Sequence, residues 1–242
     1  MGEFTPHYPV FLSLEGRLAV VVGGDAPALR KTRQLVRCGA DVVVVTPFPD
    51  EELRQLEVDG VITLERRGYM RGDLAGAFIA YSTVTDEVAS GVFAEAETLG
   101  CLVNIAEDPA HSNYLVPSGV RRGQLQIAIS TAGAAPAVAK RLRKELRERF
   151  GVEWGAYVAL LGDIRALATQ SIDDAAKRAR IVAASSDADY LERLAGGEKI
   201  AAADALEALI AADVAPEPDT EPTADADPAA DRTGEPAPSS EE

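Results

Sequence analysis

The feature that most constrains the fold is the alternation of short apolar runs with segments of helical pattern in the first half of the chain. The runs are rich in valine and isoleucine, and they span residues 17–23, 41–46, 60–66, 77–83 and 101–106. Helical patterns fill the intervals near residues 27–38, 50–58 and 86–99. Because strands covered on both faces are continuously apolar, this order predicts an α/β domain with a parallel sheet between layers of helices.

The rest of the chain changes character twice. A strand-like run at 125–130 leads into a helix at 137–150, and the pattern is helical from residue 154 to about 212, with interruptions near 185–187 and 196–197. The last thirty residues are rich in proline and acidic residues and have no large apolar residue after Val214. We therefore predict four parts, at 1–113, 114–150, 151–212 and 213–242, the last being a disordered acidic tail.

Charge and cysteine content limit the partners and the compartment. The net charge is −15, and nine of these charges fall in the tail, where ten acidic residues accompany one arginine. Since this charge would repel a phosphate backbone, we expect no nucleic-acid partner. No leader sequence or membrane-spanning run is recognisable, which predicts a cytoplasmic protein without membrane association. Cys38 and Cys101 lack paired spacing and are predicted to be small core residues in a reducing compartment.

The first apolar run ends in a glycine-containing turn, "VVVGGDAPALRK" (20–31). Glycines between a strand and a helix let backbone N–H groups approach a pyrophosphate, as in Rossmann-like dinucleotide-binding domains. Gly23 suits the tight turn, but Asp25 places a carboxylate where another glycine is usual. Asp25 followed by Pro27 is also typical of an ordinary helix cap. The turn alone therefore leaves nucleotide binding and helix capping open, as well as the choice between NAD and NADP.

Five stretches occur together in a characteristic order and spacing. They are "YPVFLSLEGRLAVVVGG" (8–24), "ALRK" (28–31), "GCLVNIAEDP" (100–109), "YLVPSGVRRGQLQIAIST" (114–131) and "GAAPAVAKRLRKEL" (133–146). Over these stretches the chain resembles the siroheme synthase family, precorrin-2 dehydrogenase/sirohydrochlorin ferrochelatase, in a stand-alone form without the methyltransferase module. The resemblance implies a Rossmann-like NAD-binding domain at 1–113, a dimerisation and substrate region at 114–150, and a helical domain at 151–212.

The resemblance also implies an activity and its catalytic residues. A homodimer would oxidise precorrin-2 to sirohydrochlorin with NAD, and often insert Fe²⁺ to give siroheme. Dehydrogenation transfers a hydride to nicotinamide and a proton to a base, and metal insertion removes pyrrole protons. The family's aspartate in N-V-V-D-D-P falls on Glu107, which makes Glu107 and Asp108 the implied catalytic residues. Without the resemblance, both residues would be interpreted as the start of a polar loop.

Further contacts are implied on both sides of the site. The implied cofactor-binding residues are Gly23, Gly24, Asp25, Ala26, Pro27, Pro47, Phe48 and Thr83. The tetrapyrrole is a polycarboxylate that basic and hydroxyl side chains can hold. The implied substrate-binding residues are Ser118, Arg121, Arg122, Thr131, Lys140 and Arg143. The basic helix is also typical of a solvated face with ion pairs four residues apart. His7 and His111 lack ligand spacing, so no resident metal is expected.

Four departures from the family pattern lie on the cofactor side. Besides Asp25, the segment that reads A-T-D-D-x-x-V-N in the family keeps Thr83 but has Val84 and Thr85 at the paired aspartate positions and Ala89 at the asparagine position. These departures leave a second hypothesis open: a tetrapyrrole-binding carrier, partner protein or chelatase without dehydrogenase activity. A regulatory nucleotide-sensing domain is a third hypothesis, but it leaves the segment after Pro117 unexplained.

Overall fold

The computed structural model describes residues 6–212, so the predicted disordered tail at 213–242 lies outside the described residues. Within residues 6–212, five parallel strands form one sheet in the order β3-β2-β1-β4-β5. The strands are β1 Leu18–Val22, β2 Asp41–Val45, β3 Thr63–Glu65, β4 Ile79–Ser82 and β5 Leu102–Ile105. The connecting helices are α1 Ala26–Arg37, α2 Glu51–Val58 and α3 Asp86–Leu99.

The apolar strands are buried on both faces, as their composition predicts. In β1, Val21 packs with Leu35 of α1 and Leu53 of α2 in one core. Its neighbour Val20 packs with Val92 of α3 in the core on the other face. Successive residues of a strand point to opposite faces, so one valine-rich strand supplies both cores. The predicted α/β sheet with helices on both sides is confirmed.

The ends of α1 show why the chain turns where it does. Asp25 is the N-cap, Pro27 lies in the first turn, and the helix stops at Arg37 before Gly39, which has a φ of 79°. Cys38 caps the other end and is exposed. The prediction that Cys38 is a core residue is therefore wrong, because the helix presents its C-terminal residue to solvent. Cys101 is buried at the start of β5, as predicted.

After β5 the chain leaves the sheet. A short 3₁₀ turn, Pro109–His111, precedes a hairpin of β6 Ser118–Arg122 and β7 Leu125–Ile129, and then α4 Pro136–Arg149. Sequence reasoning missed β6, because "SGVRR" lacks an apolar run. None of the residues of α4 is buried in the single chain.

The structure divides into two compact units, one reaching Arg121 and including Gln126–Arg149, the other formed by Arg122–Leu125 and the chain from Phe150. In the second unit a core around Tyr157, Ile164 and Leu206 confirms the predicted helical region. An additional break near residues 172–174 was not predicted. The four functional divisions of the chain stay a prediction. The helices of the second unit are α5 Glu153–Ser171, α6 Ala175–Asp187, α7 Tyr190–Ala195 and α8 Ala202–Ala211.

No helix within residues 6–212 has both the length and the apolar character needed to cross a membrane.

Candidate functional site

The strand order reverses direction between β1 and β4, and a crevice opens at the carboxyl ends of these two strands. Gly23 follows β1 with a φ of 132°, and its backbone N–H donates to the carbonyl of Val45. A Cβ at Gly23 would collide with Oγ1 of Thr83, which follows β4. The structure therefore brings the predicted cofactor residues Gly23 and Thr83 into contact at the switch point.

Gly24 lies against the loop that follows β2. A Cβ there would collide with the carbonyl oxygen of Phe48 and lie 2.5 Å from Oγ1 of Thr46. The backbone N–H of Asp50 donates to the carbonyl of Gly24 at 3.0 Å. Pro47 and Phe48 are exposed beside this turn, the latter with 85% of its surface accessible. Both glycines are thus required by close packing between three strand ends.

Asp25 caps α1 instead of blocking the turn. Its Oδ1 accepts a hydrogen bond from the backbone N–H of Ala28 at 3.0 Å, and Asp25 and Ala26 are exposed at the crevice. The tight turn at Gly23 and Gly24 and the positive end of the α1 dipole fit the pyrophosphate of a dinucleotide. A bound nicotinamide dinucleotide would supply a hydride acceptor at this edge of the sheet.

A cavity of about 450 Å³ lies on the same edge of the first unit. Pro27 and Arg30 of α1 line it from one side, and residues of β4, β5 and the loop after β5 contribute the floor. The hairpin and the start of α4 close the remaining wall through Ser118, Ser130, Thr131 and Pro136. Since Pro27 belongs to both features, the cavity adjoins the dinucleotide-type turn.

Glu107 lies on this cavity in an unusual backbone conformation. Its φ is 62°, in the left-handed region that residues other than glycine, asparagine and aspartate rarely adopt. The turn is held on both sides, because an antiparallel bridge joins Ile105 to Asp108 and the N–H of Asp108 donates to the carbonyl of Ile105. Backbone strain that the surroundings enforce is common at functional sites. Glu107 is exposed at the cavity wall.

Asp108 also lines the cavity, but its carboxylate is engaged locally. Oδ1 accepts from the backbone N–H groups of Ala110 and His111, and Oδ2 lies 2.6 Å from Nδ1 of His111. The hydrogen bond from His111 lowers the pKa of Asp108. Of the two predicted catalytic carboxylates, Asp108 is therefore committed to holding the turn, whereas Glu107 carries none of these bonds.

Sequence reasoning missed Tyr81, Arg30 and Asn104 as cavity residues. Burial raises the pKa of the Tyr81 hydroxyl, the positive charge of Arg30 opposes this, and the negative charges of Asp25 and Glu107 raise it further. The side-chain amide of Asn104 donates to the carbonyl of Tyr114 at 3.0 Å. The motif "ALRK" contained the signal for Arg30, since positions 27 and 30 share one face of a helix.

The predicted substrate residues separate into two groups. Ser118 and Thr131 line the cavity, whereas Arg121, Arg122, Lys140 and Arg143 do not. Nε of Arg122 donates to the carbonyl oxygens of Phe150 and Gly151, which gives Arg122 a structural role. Lys140 and Arg143 are exposed on α4. Within residues 6–212 no group of three or more histidine, cysteine, aspartate or glutamate side chains is arranged to hold a metal ion.

Two of the cofactor-side departures have a packing explanation. Ala89 is buried in the core on the α3 face of the sheet, and Val84 packs against that core. A polar side chain at position 89 would need a hydrogen-bonding partner there. These replacements therefore complete an apolar core and are compatible with an intact cofactor crevice.

Comparison with known proteins covers both parts of the site. Residues 10–118 match a family described as "Putative NAD(P)-binding", and residues 122–149 match one described as "Sirohaem biosynthesis protein central". Siroheme synthase 1 of Aeromonas salmonicida is 32% identical over 198 residues, covering 81% of this chain and 42% of that protein. A siroheme synthase of Pseudomonas aeruginosa is 35% identical over 171 residues, covering 70% of this chain and 37% of that protein.

A solved structure described as "SirC, precorrin-2 dehydrogenase" has a TM-score of 0.68 and 25% sequence identity; it covers 85% of this chain and 100% of that chain. This chain spans about two fifths of the length of the curated relatives it matches. The sheet, the hairpin and α4 thus correspond to two adjoining family models in the expected order. The chain belongs to the siroheme synthase family.

Proposed function

We propose that this protein oxidises precorrin-2 to sirohydrochlorin with NAD as the hydride acceptor. The observation that carries the proposal is the placement of Glu107 on a strained turn at the wall of a cavity of about 450 Å³. That cavity shares Pro27 with the dinucleotide-type turn at the switch point. A base and a hydride acceptor can therefore reach the same substrate from neighbouring walls.

The proposed overall reaction converts precorrin-2 and NAD⁺ to sirohydrochlorin, NADH and a proton. A bound dinucleotide would supply the hydride acceptor, and a protein base accepts the proton. Glu107 accepts the proton, because its carboxylate faces the cavity while that of Asp108 is held by His111. Ser118 and Thr131 contact the substrate from the hairpin side. The turn formed by Gly23, Gly24 and the residues around them would hold the dinucleotide.

Fe²⁺ is the proposed second substrate of the same cavity. Insertion of the metal into sirohydrochlorin releases two pyrrole protons, and Glu107 can accept them one at a time, passing the first to solvent before it takes the second. The metal leaves with the product, so this step requires transient contacts and no permanent ligand set. Iron insertion therefore depends on the same carboxylate as dehydrogenation.

A homodimer is the proposed assembly. The two-stranded sheet of β6 and β7 is of a kind that is marginally stable alone, and α4 buries none of its residues within one chain. Val116 and Val138 are exposed apolar side chains in this region. A second copy packed on the hairpin and α4 would bury this surface. Sedimentation of the purified protein at increasing concentration measures whether two copies associate. A cytoplasmic location also stays a prediction.

The alternative is a carrier or chelatase without dehydrogenase activity, which the carboxylate of Asp25 at the turn still favours. The test is the absorbance change when the purified protein is mixed with enzymatically generated precorrin-2, with and without NAD. NAD-dependent formation of sirohydrochlorin supports the proposal. A protein that binds the tetrapyrrole and inserts Fe²⁺ into sirohydrochlorin, but leaves precorrin-2 unchanged with NAD, supports the alternative.

The role of Glu107 is tested with Glu107→Ala, which is expected to abolish turnover in a folded protein. Glu207→Ala is the matched control, because Glu207 is an exposed glutamate on α8. Unchanged activity of Glu107→Ala would remove this residue from the mechanism.

A further inference from the structure

We propose that Arg30 of α1 and Tyr81 of β4 form a carboxylate-binding subsite, which holds one acidic side chain of the tetrapyrrole against the wall of the cavity. This inference rests on the proposed function, since it takes a tetrapyrrole as the ligand of the cavity. It assigns the anchoring role to two residues outside the basic segment of the hairpin and α4.

The charges around the cavity favour Arg30 as the anion-binding residue. Within the described part of the chain, the cavity is lined by one cationic side chain, Arg30, and by two carboxylates, Glu107 and Asp108. Asp108 is already paired with His111. The positive charge available to a polycarboxylate in this cavity is therefore the guanidinium of Arg30 on α1.

The guanidinium of Arg30 is also uncommitted. No hydrogen bond or ion pair joins it to another residue of the range 6–212, whereas Arg33, one turn along the same helix, forms an ion pair with Glu52. Arg30 is exposed at the cavity rim, so its donors are available to a ligand. A guanidinium can donate two parallel hydrogen bonds to a carboxylate. These charge-assisted hydrogen bonds are stronger than hydrogen bonds between neutral groups.

Tyr81 supplies a second donor from a rigid position. The residue lies in β4, whose neighbours are β1 and β5, and Nζ of Lys31 lies 4.7 Å from the centroid of the Tyr81 ring. The Tyr81 hydroxyl has no hydrogen-bonding partner among the described side chains and backbone groups. Burial keeps this hydroxyl protonated by raising its pKa, so it donates to an anion at neutral pH.

The position of the two residues relates the subsite to the chemistry. Arg30 and Tyr81 approach from α1 and β4, while Glu107 approaches from the loop after β5, the neighbouring strand. An acidic side chain bound by Arg30 and Tyr81 would fix one edge of the macrocycle and leave its ring carbons to face Glu107. The two residues therefore act in substrate positioning, and Glu107 acts in proton transfer.

The test compares Arg30→Gln, Arg30→Lys and Tyr81→Phe with Arg33→Gln, an exposed arginine of the same helix that lies outside the cavity. Binding of sirohydrochlorin without NAD is measured by absorbance titration, and binding of NAD is measured separately. Arg30→Gln is expected to weaken sirohydrochlorin binding by about ten- to a hundredfold, Tyr81→Phe by less, and Arg30→Lys to recover part of the loss. Arg33→Gln is expected to bind like the wild type.

The kinetic expectation for Arg30→Gln is a raised KM for precorrin-2 with a smaller change in kcat. Unchanged sirohydrochlorin binding in both Arg30→Gln and Tyr81→Phe would overturn the subsite while leaving the proposed reaction intact. A loss confined to NAD binding would also overturn it, because Arg30 would then hold the dinucleotide phosphate. If the wild type bound sirohydrochlorin without oxidising precorrin-2, the proposed function would fail, and weaker sirohydrochlorin binding by Arg30→Gln would still support the subsite. A wild type that bound no tetrapyrrole would overturn both.

Discussion

Oδ1 of Asp25 accepts a hydrogen bond from the backbone N–H of Ala28 at 3.0 Å, so a residue that interrupts a dinucleotide-binding pattern also begins the helix that follows it. The same carboxylate lies at the positive end of α1, where a pyrophosphate would bind. Capping and cofactor binding are therefore coupled at one residue, and the two roles can be separated by substitution.

Asp25→Asn keeps the capping oxygen and removes the charge. We expect the free energy of unfolding to stay within about 0.5 kcal/mol of the wild type, because asparagine caps helices as well as aspartate does. The affinity for NAD should rise several-fold, since a negative charge next to the pyrophosphate is removed. Urea denaturation and calorimetric titration with NAD measure the two effects.

Asp25→Ala removes both the capping oxygen and the charge. Its difference from Asp25→Asn therefore measures the contribution of the cap alone. Asp25→Ala should lower the free energy of unfolding by about 1 kcal/mol while also relieving the repulsion. Weaker NAD binding by Asp25→Asn would contradict this account, as it would show that the carboxylate assists the dinucleotide.

Glu107→Gly tests whether the glutamate side chain at this strained turn is needed for turnover and costs stability. Glycine adopts a φ of 62° without steric cost, so we expect the free energy of unfolding to rise by about 0.5–1 kcal/mol while turnover is lost. Ala132→Gly is the matched control for stability, because Ala132 has a φ of 50° and no carboxylate. A clearly destabilised Glu107→Gly would mean that the Glu107 side chain supports the fold.

Much of the fold could be predicted from the sequence, because burial on both faces leaves a direct mark on composition. The valine-rich β1 and β2 follow this rule closely. The strand Ser118–Arg122 could not be found in this way, since its five residues are a serine, a glycine, two arginines and a single apolar residue, Val120. Its place is fixed by pairing with β7, and pairing between strands is a property of the fold that a local pattern does not contain.

The site was less predictable, and the reasons differ from residue to residue. The position of Glu107 came from the motif, but its positive φ depends on the bridge between Ile105 and Asp108. The positive charge of the basic residues of α4 suggests contacts with an acidic substrate, yet Lys140 and Arg143 lie on the surface of the single chain. Arg30 was overlooked because sequence periodicity shows that a helix has two faces without showing which of them borders a cavity.

Glu95 is a buried carboxylate that has no role in the proposed reaction, and its substitution tests its contribution to stability. It accepts hydrogen bonds from the backbone N–H groups of Gly72 and Leu74, at 3.0 and 3.1 Å, and from the hydroxyl of Tyr69. Glu95→Gln replaces one acceptor by a donor, so we expect a loss of about 2 kcal/mol in the free energy of unfolding. Chemical denaturation measures it.

Glu97→Gln is the control for this prediction, because Glu97 is an exposed glutamate of the same helix. It should change stability by less than about 0.5 kcal/mol. Equal effects of the two substitutions would show that the loop at residues 69–74 does not depend on Glu95.

Lys31 provides a pH-dependent prediction. Burial lowers the pKa of Lys31 from 10.5 to about 8, although Cys38 acts in the opposite direction. Between these two values the unfolded chain binds more protons than the folded one, so the contribution of Lys31 to stability rises with pH over this range. Below about pH 8 the buried ammonium carries its full desolvation cost, which the contact with the Tyr81 ring reduces.

Lys31→Met should therefore raise the free energy of unfolding by about 2 kcal/mol at pH 7, where the ammonium is present in both states of the wild type. The difference between variant and wild type should shrink as the pH rises from 8 towards 10.5, because the folded wild type then holds a neutral amine. Urea denaturation at a series of pH values measures this difference. Lys144→Met, at an exposed lysine of α4, should show no comparable trend. A gain for Lys31→Met that stays constant from pH 7 to pH 10 would mean that the ammonium is solvated in the folded protein, and its place beside Tyr81 would then contribute through packing alone.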